Sequence, residues 1–359
     1  MVAPFPLVSY DDAVEQSAMM KEVVLERRMP PWHADPRHGD FSNNRRMPQE
    51  EVDQLVSWID GGTPKGDDKE LPPPVRYAEG WQIEKPDYVF ELPEEVTVPA
   101  QGTVPYLYFK VPTNFKEDVW IQSAEARPGN RAVVHHIIVF CRDPESRGRP
   151  RSILDNNLVG TAPGDPPLVL PPGAARKIPA GSELVFQMHY TPNGKEQKDR
   201  SQVGLVVYNG KEPPRYNVGS LAVMNPRLRI PAGAANHEEV SSRKLDRDTV
   251  VFSLMPHMHV RGKDFLFRAK YPDGRSETLL SVPGYDFNWQ NSYTPTKPLL
   301  FPKGTTLECV AHYDNSRENP ANPDPTKEVR WGDQTWEEMM IGWFNCAPAA
   351  PGDFTAESK

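Results

Sequence analysis

Positive charge is in deficit, cysteine is scarce and no apolar stretch is long, and each shortage removes a class of protein. Lysine and arginine number 41 against 49 aspartates and glutamates, a formal net charge of -8. With no basic patch carrying interleaved aromatics, that balance argues against a nucleic-acid partner. The longest apolar runs fall far short of the ~20 residues needed to cross a bilayer, so no membrane span is expected. Residues 1 to 10 lack the charged and apolar regions of a secretory signal, and the chain as written carries no address. Its three cysteines, Cys141, Cys309 and Cys346, cannot all pair, and none stands in a Cys-X-X-Cys. Cys309 and Cys346 fall in one predicted domain and are the candidates for a disulfide, with Cys141 left single.

What is abundant is turn chemistry. Forty prolines and 24 glycines lie scattered between apolar runs of a 359-residue chain, which suits many short strands in two or three domains. The start is different. Residues 11 to 28 predict a helix capped by Asp11 or Asp12, with Ala13, Met20 and Val24 at helical spacing. Pro48 opens a second helix, Val52, Leu55, Val56 and Ile59 form its apolar stripe, and Gly61 and Gly62 stop it. Residues 71 to 84, with three successive prolines, predict a linker. From there the period changes to alternation: YLYFKV, DVWIQSAEA, RAVVHHIIVF, ELVFQMHYTP and VGLVVY, then from about residue 215 SLAVMN, TVVFSLMPHMHV, DFLFRAKY, TLLSV, TLECVAHYD and MMIGWF. Residues 162 to 181 predict a long loop. The expected fold is mainly β: a helical segment over 1–70, one sandwich over 85–213, a second over 214–350, and a tail over 351–359.

Histidine placement carries the chemistry. His257 and His259 stand two apart in a predicted strand, so both imidazoles leave one face and can share a metal. His135 and His136 are adjacent, and adjacent strand residues face opposite sides; they can serve one metal only at a bulge or off the strand edge. His189 lies in LVFQMHY and Met339 in TWEEMMIGWF. Taken singly each has a plainer reading, a half-exposed polar face or a satisfied core histidine. His312 and His237 read as structural or solvated, and His33 and His38 as surface residues. Five histidines and a thioether on predicted strands together suggest a redox metal protein.

HHIIVFC, QMHY, HMHVRGK and EEMMIGWF occur in the order and approximate separation of the copper type II, ascorbate-dependent monooxygenases, the family of peptidylglycine alpha-hydroxylating monooxygenase and dopamine beta-monooxygenase. The resemblance covers roughly residues 85 to 350. It implies tandem jelly-roll-like sandwiches and two copper ions, one held by His135, His136 and His189, the other by His257, His259 and Met339. It also implies C–H hydroxylation with O2 and ascorbate or a redox-protein donor, with catalysis at His257, His259 and Met339, and a bacterial periplasmic or secreted setting. Residues 1 to 70 resemble the latter part of a bacterial c-type cytochrome domain. Met29 occupies the place of the axial methionine, but the Cys-X-X-Cys-His motif is absent, so haem c is expected only in a longer form of the chain.

The ligand types fit that implication. Imidazole serves both copper oxidation states and a thioether favours Cu(I), whereas zinc gains little from methionine. The departures concern substrate. Met255 stands where the peptidylglycine enzymes resemble one another in an arginine that holds a carboxylate, and Ile341 and Trp343 stand where they have Asn and Tyr. These three predict an apolar pocket wall and a neutral or aromatic small substrate. Gln187 and Tyr190, flanking His189, are candidates to orient imidazoles. The alternatives are a non-catalytic copper-binding or electron-transfer protein, and a zinc hydrolase, disfavoured by Met339 and by the lack of a nearby carboxylate base.

Overall fold

The computed structural model describes residues 5–71, 73, 80–146, 156–161 and 166–354. Two compact units emerge, one from residues 1–32 and 43–80, the other from 33–42 and 81–359. Much of the expected linker over 71–84 lies outside the described residues.

The first unit is helical. The single helix expected over 11–28 is two, Tyr10–Glu15 and Ser17–Leu25, broken at Gln16. Its cap is Ser9 and not Asp11 or Asp12: the Ser9 hydroxyl accepts from the Asp12 amide while the Asp12 carboxylate accepts from the Ser9 amide, a reciprocal box. Pro48 precedes the helix Gln49–Asp60 as expected, and Gly61 ends it.

The second unit is mainly β, two jelly-roll-like sandwiches in tandem. In the first, one sheet runs in the order Tyr88–Glu91, Gln202–Val207, Val119–Arg127, Ala174–Ile178, Tyr216–Asn217, and the other in the order Leu107–Pro112, Glu183–Tyr190, Val134–Arg142, Asn157–Thr161. Ile121, Ala124 and Leu205 of one sheet meet Ile137, Val139, Phe186 and Met188 of the other in the core. Alternation does the rest: with Ile137 and Met188 facing inward, their neighbours His136 and His189 face out. The expected loop over 162–181 is partly wrong. It contains the buried strand Ala174–Ile178, paired with Val119–Ile121, and the short strand Leu168–Val169; residues 162–165 lie outside the description.

In the second sandwich, Gly219–Met224, Ile341–Pro348, Thr249–His257 and Leu299–Phe301 form one sheet, and His237–Lys244, Thr306–Tyr313, Gly262–Lys270 and Ser276–Val282 the other. Phe267 and Phe344 pack edge-on across the interior at 5.2 Å. The expected Cys309–Cys346 disulfide is not formed; all three cysteines are free. Cys309 packs where Gly342 has no side chain, and Cys346 lies four residues further along that strand, about 13 Å away at ~3.3 Å per residue, beyond disulfide reach.

Arg176, on the strand that the loop reading missed, joins the two sandwiches. It is buried with no carboxylate partner among the described residues, and its N–H groups are spent on oxygens: Nε on Val218 O, Nη1 on Asn157 O and Leu158 O, Nη2 on Ser220 Oγ and Asn345 Oδ1. Burial lowers its guanidinium to about 10, and it stays charged at neutral pH. Five hydrogen bonds to neutral oxygens are the compensation a buried cation requires.

Candidate metal centres

The first centre stands on the outer face of the sheet that holds His135, His136 and His189. His136 pairs directly with His189 across the strands, and the register slips between Val134 and His136. His135 is therefore the extra residue of a β-bulge, which lets two adjacent side chains serve one point. Nitrogen atoms of the three imidazoles all lie within 4.8 Å of one another, with His135 Nδ1 and His136 Nδ1 3.4 Å apart. His136 Nε2 and His189 Nδ1 are buried with no hydrogen-bond partner among the described residues. Orphaned buried nitrogens are costly unless something completes them, and a metal ion answers one such lone pair.

Burial keeps these rings neutral, the form that ligates. It lowers His135, pushes His189 down to about 3, and takes His136 well below its ordinary value, aided by the neighbouring histidines. Tyr106 covers the centre, its ring centroid 4.7 Å from that of His189 and 5.3 Å from that of His136. Burial raises its phenol to about 12 against a hydrogen bond to Thr335.

The second centre is less regular than two histidines on one strand. The strand ends at His257, and His259 falls in the turn that follows; Met339 likewise precedes the strand Ile341–Pro348. What aligns these off-strand residues is Glu338. Its buried carboxylate accepts from the backbone amides of His259 (2.7 Å) and Met339 (3.1 Å) through Oε2, and from that of Arg261 (2.7 Å) through Oε1. One side chain thus ties the His257–His259 turn to the backbone of Met339. Burial raises Glu338 to about 7, against the pull of three amides and the Arg261 guanidinium. Arg261 is itself buried, donating from Nε to Asn315 Oδ1 and from Nη1 to Trp336 O.

Both imidazoles are oriented. His257 Nδ1 lies 2.6 Å from Gln290 Oε1, and His259 Nδ1 lies 3.2 Å from the Glu337 carbonyl. Each partner can only accept, so each Nδ1 carries the proton and each Nε2 keeps its lone pair for a metal. Burial lowers His257 against the Gln290 contact. It takes His259 to about 3, with the charge of His257 the next contribution. The rings stand 5.3 Å apart and nearly perpendicular. Met339 is buried in a small apolar cluster with Ala222 and Ile341, backed by Met224, Trp331 and Trp343.

The two centres face each other. Phe287 stacks on His135 at 5.7 Å and meets His259 edge-on at 5.9 Å, and His257 and His259 add to the lowering of His136. Beside His259 opens a cavity of about 520 Å³ bounded in part by Tyr285, Phe287 and Glu318.

The other expected residues divide. Met255 registers opposite Trp343 and His257 opposite Ile341, so all four share one sheet face. Gln187 shares the face of His189, but its amide donates to Tyr108 Oη (2.7 Å). Tyr190 points into the core, its hydroxyl donating to Asp199, and it does not orient an imidazole. Met29 is exposed, with its amide on Val23 O. Residues 1–32 and 43–80 contain neither histidine nor cysteine, so none of them offers a second axial ligand or a thioether attachment beside Met29. His312 Nδ1 bonds Asp264 and His237 Nε2 bonds Glu239, structural roles as expected. Sequence reasoning missed Glu338, Gln290, Phe287 and Tyr106. Glu338 directly precedes Met339, and the other three lie far from the ligands in sequence.

No family model matches the chain, and no curated protein does. Solved structures that superpose on it include the major capsid protein P2 of bacteriophage PM2 (TM-score 0.30, 9% identity, covering 74% of this chain and 99% of that chain). The infectious bursal disease virus VP2 subviral particle (0.23, 8%, 79% and 76%) and allantoicase of Saccharomyces cerevisiae (0.22, 9%, 67% and 76%) are others. Likenesses this slight say nothing of what the chain does.

Proposed function

We propose that the chain is a copper-dependent monooxygenase that hydroxylates a C–H bond of a small neutral substrate, using O2 and electrons from ascorbate or another one-electron donor. The observation that carries the reading is the pair of facing, desolvated histidine groups, one of three imidazoles and one of two tied to Met339 through Glu338. Copper bound by these donors would supply one-electron redox chemistry and a place for O2, with the thioether favouring the reduced ion.

The chain's own residues do the rest. Burial keeps the imidazoles unprotonated, Gln290 and the Glu337 carbonyl fix which nitrogen is offered, and Tyr106 and Phe287 wall the rings from water. Met255, Trp343 and Ile341, on the face that carries His257, offer no charge to a substrate carboxylate, which favours an uncharged molecule. Such chemistry suits a periplasmic or secreted setting.

Met339→Ala tests the assignment. The expected result is loss of ascorbate-driven hydroxylation with copper still held by His135, His136 and His189; unchanged turnover overturns it. Copper retained by the parent chain without oxygen chemistry on any substrate would move the reading to an electron-transfer or copper-carrying protein.

A further inference from the structure

Between the two sandwiches lies a cavity of about 430 Å³, within the ~300–1,000 Å³ range of small-molecule sites. Its floor is the sheet face that carries His257: Ser253, Met255 and Asn345 line it, and Ser253 registers opposite Asn345. Met255 lies about 7 Å and Ser253 about 13 Å from His257 along the strand, at ~3.3 Å per residue. Leu158, Val159 and Phe252 supply apolar wall. Among the described residues that line it there is no carboxylate or lysine, and the one charge among them, Arg176, already donates to five oxygens. An anion would have to displace bonds that keep a buried cation satisfied, and a cation would find no counter-charge.

We infer that this cavity binds the body of an elongated, uncharged, largely apolar molecule whose near end reaches past Met255 to His257. That the near end is the part oxidised rests on the monooxygenase reading; the binding does not.

The test uses the full chain and two fluorescent probes that differ essentially in charge, N-phenyl-1-naphthylamine and its sulfonate 8-anilinonaphthalene-1-sulfonate. The neutral probe should saturate at one per chain, at least tenfold tighter than the sulfonate. Met255→Arg, which charges the end near His257, and Thr296→Trp, which fills the rim, should each weaken it tenfold or more while circular dichroism and melting temperature stay near the parent's. Cu(II) should quench the bound probe where Zn(II) does not, since the probe would end near His257. Equal binding of both probes, or neutral binding untouched by both variants, overturns the inference. Probe binding that follows these rules in a chain that takes up no copper would leave the cavity assigned and discard only the monooxygenase reading.

Discussion

Removing the Glu338 carboxylate tests the architecture of the second centre where it is most concentrated. Three backbone amides, those of His259, Arg261 and Met339, converge on it at 2.7 to 3.1 Å, and the residue is fully buried. Each buried amide stripped of its acceptor costs ~1–3 kcal/mol. Because the three share one partner their losses do not simply add, so Glu338→Ala is expected to destabilise by about 3–5 kcal/mol. Glu338→Gln keeps the shape but turns one oxygen into an N–H donor, facing either the Arg261 amide or the His259 and Met339 pair, at about 1–3 kcal/mol. Urea denaturation of the copper-free chain measures both. The local consequence is more diagnostic than the global one. With the turn released from Met339, copper should still occupy the three-histidine centre, while X-ray absorption of the Cu(I) form should lose its sulfur scatterer. Stability within ~0.5 kcal/mol of the parent, with the sulfur signal intact in Glu338→Ala, would show that Glu338 does not hold the turn to Met339.

Gln290→Leu keeps the volume near His257 but removes the acceptor of its Nδ1 proton; copper affinity at that centre is expected to fall ~10–100-fold, and unchanged affinity in a competition titration would contradict the tautomer assignment. Acid should act through the same rings. His189 and His259 are held down to about 3 and His136 lower than its ordinary value, so between pH 6.5 and 3 the unfolded chain binds more protons than the native one, and stability falls as pH falls. Glu338, raised to about 7, pulls the opposite way between 4.5 and 7, but it is one group against several. The copper-free chain should therefore lose stability progressively below pH 6.5, and copper should counter the loss by occupying the lone pairs. Chemical denaturation at pH 7, 6, 5 and 4 measures it, and a flat profile would contradict the burial of neutral imidazoles.

Alternation made most of the fold legible. Each of the eleven runs singled out from 106–111 to 339–344 overlaps a strand, because β-branched and aromatic residues on a two-residue period have few other homes. Two of the strands that escaped carried weaker signals. HEEVSSRK, now His237–Lys244, is mostly polar because much of it faces solvent, and AARKI was hidden among prolines and glycines although its arginine is the buried link between sandwiches.

At the site, ligand types and order could be read from sequence, but their presentation could not. That two adjacent histidines serve one point depends on a register slip set by the partner strand Glu183–Tyr190, and that His259 belongs with His257 depends on an acid 79 residues away. Tyr190 is the opposite case. Its neighbour His189 faces out, so strand parity alone should have sent it to the core.

The most direct measurement is copper stoichiometry on the purified chain, followed in the same sample by oxygen uptake with ascorbate and a panel of neutral substrates. The expected result is two coppers per chain, both reduced by ascorbate, and oxygen consumption coupled to hydroxylated product. One copper per chain, zinc taken up in preference to copper, or two coppers that cycle with ascorbate yet never hydroxylate would contradict it.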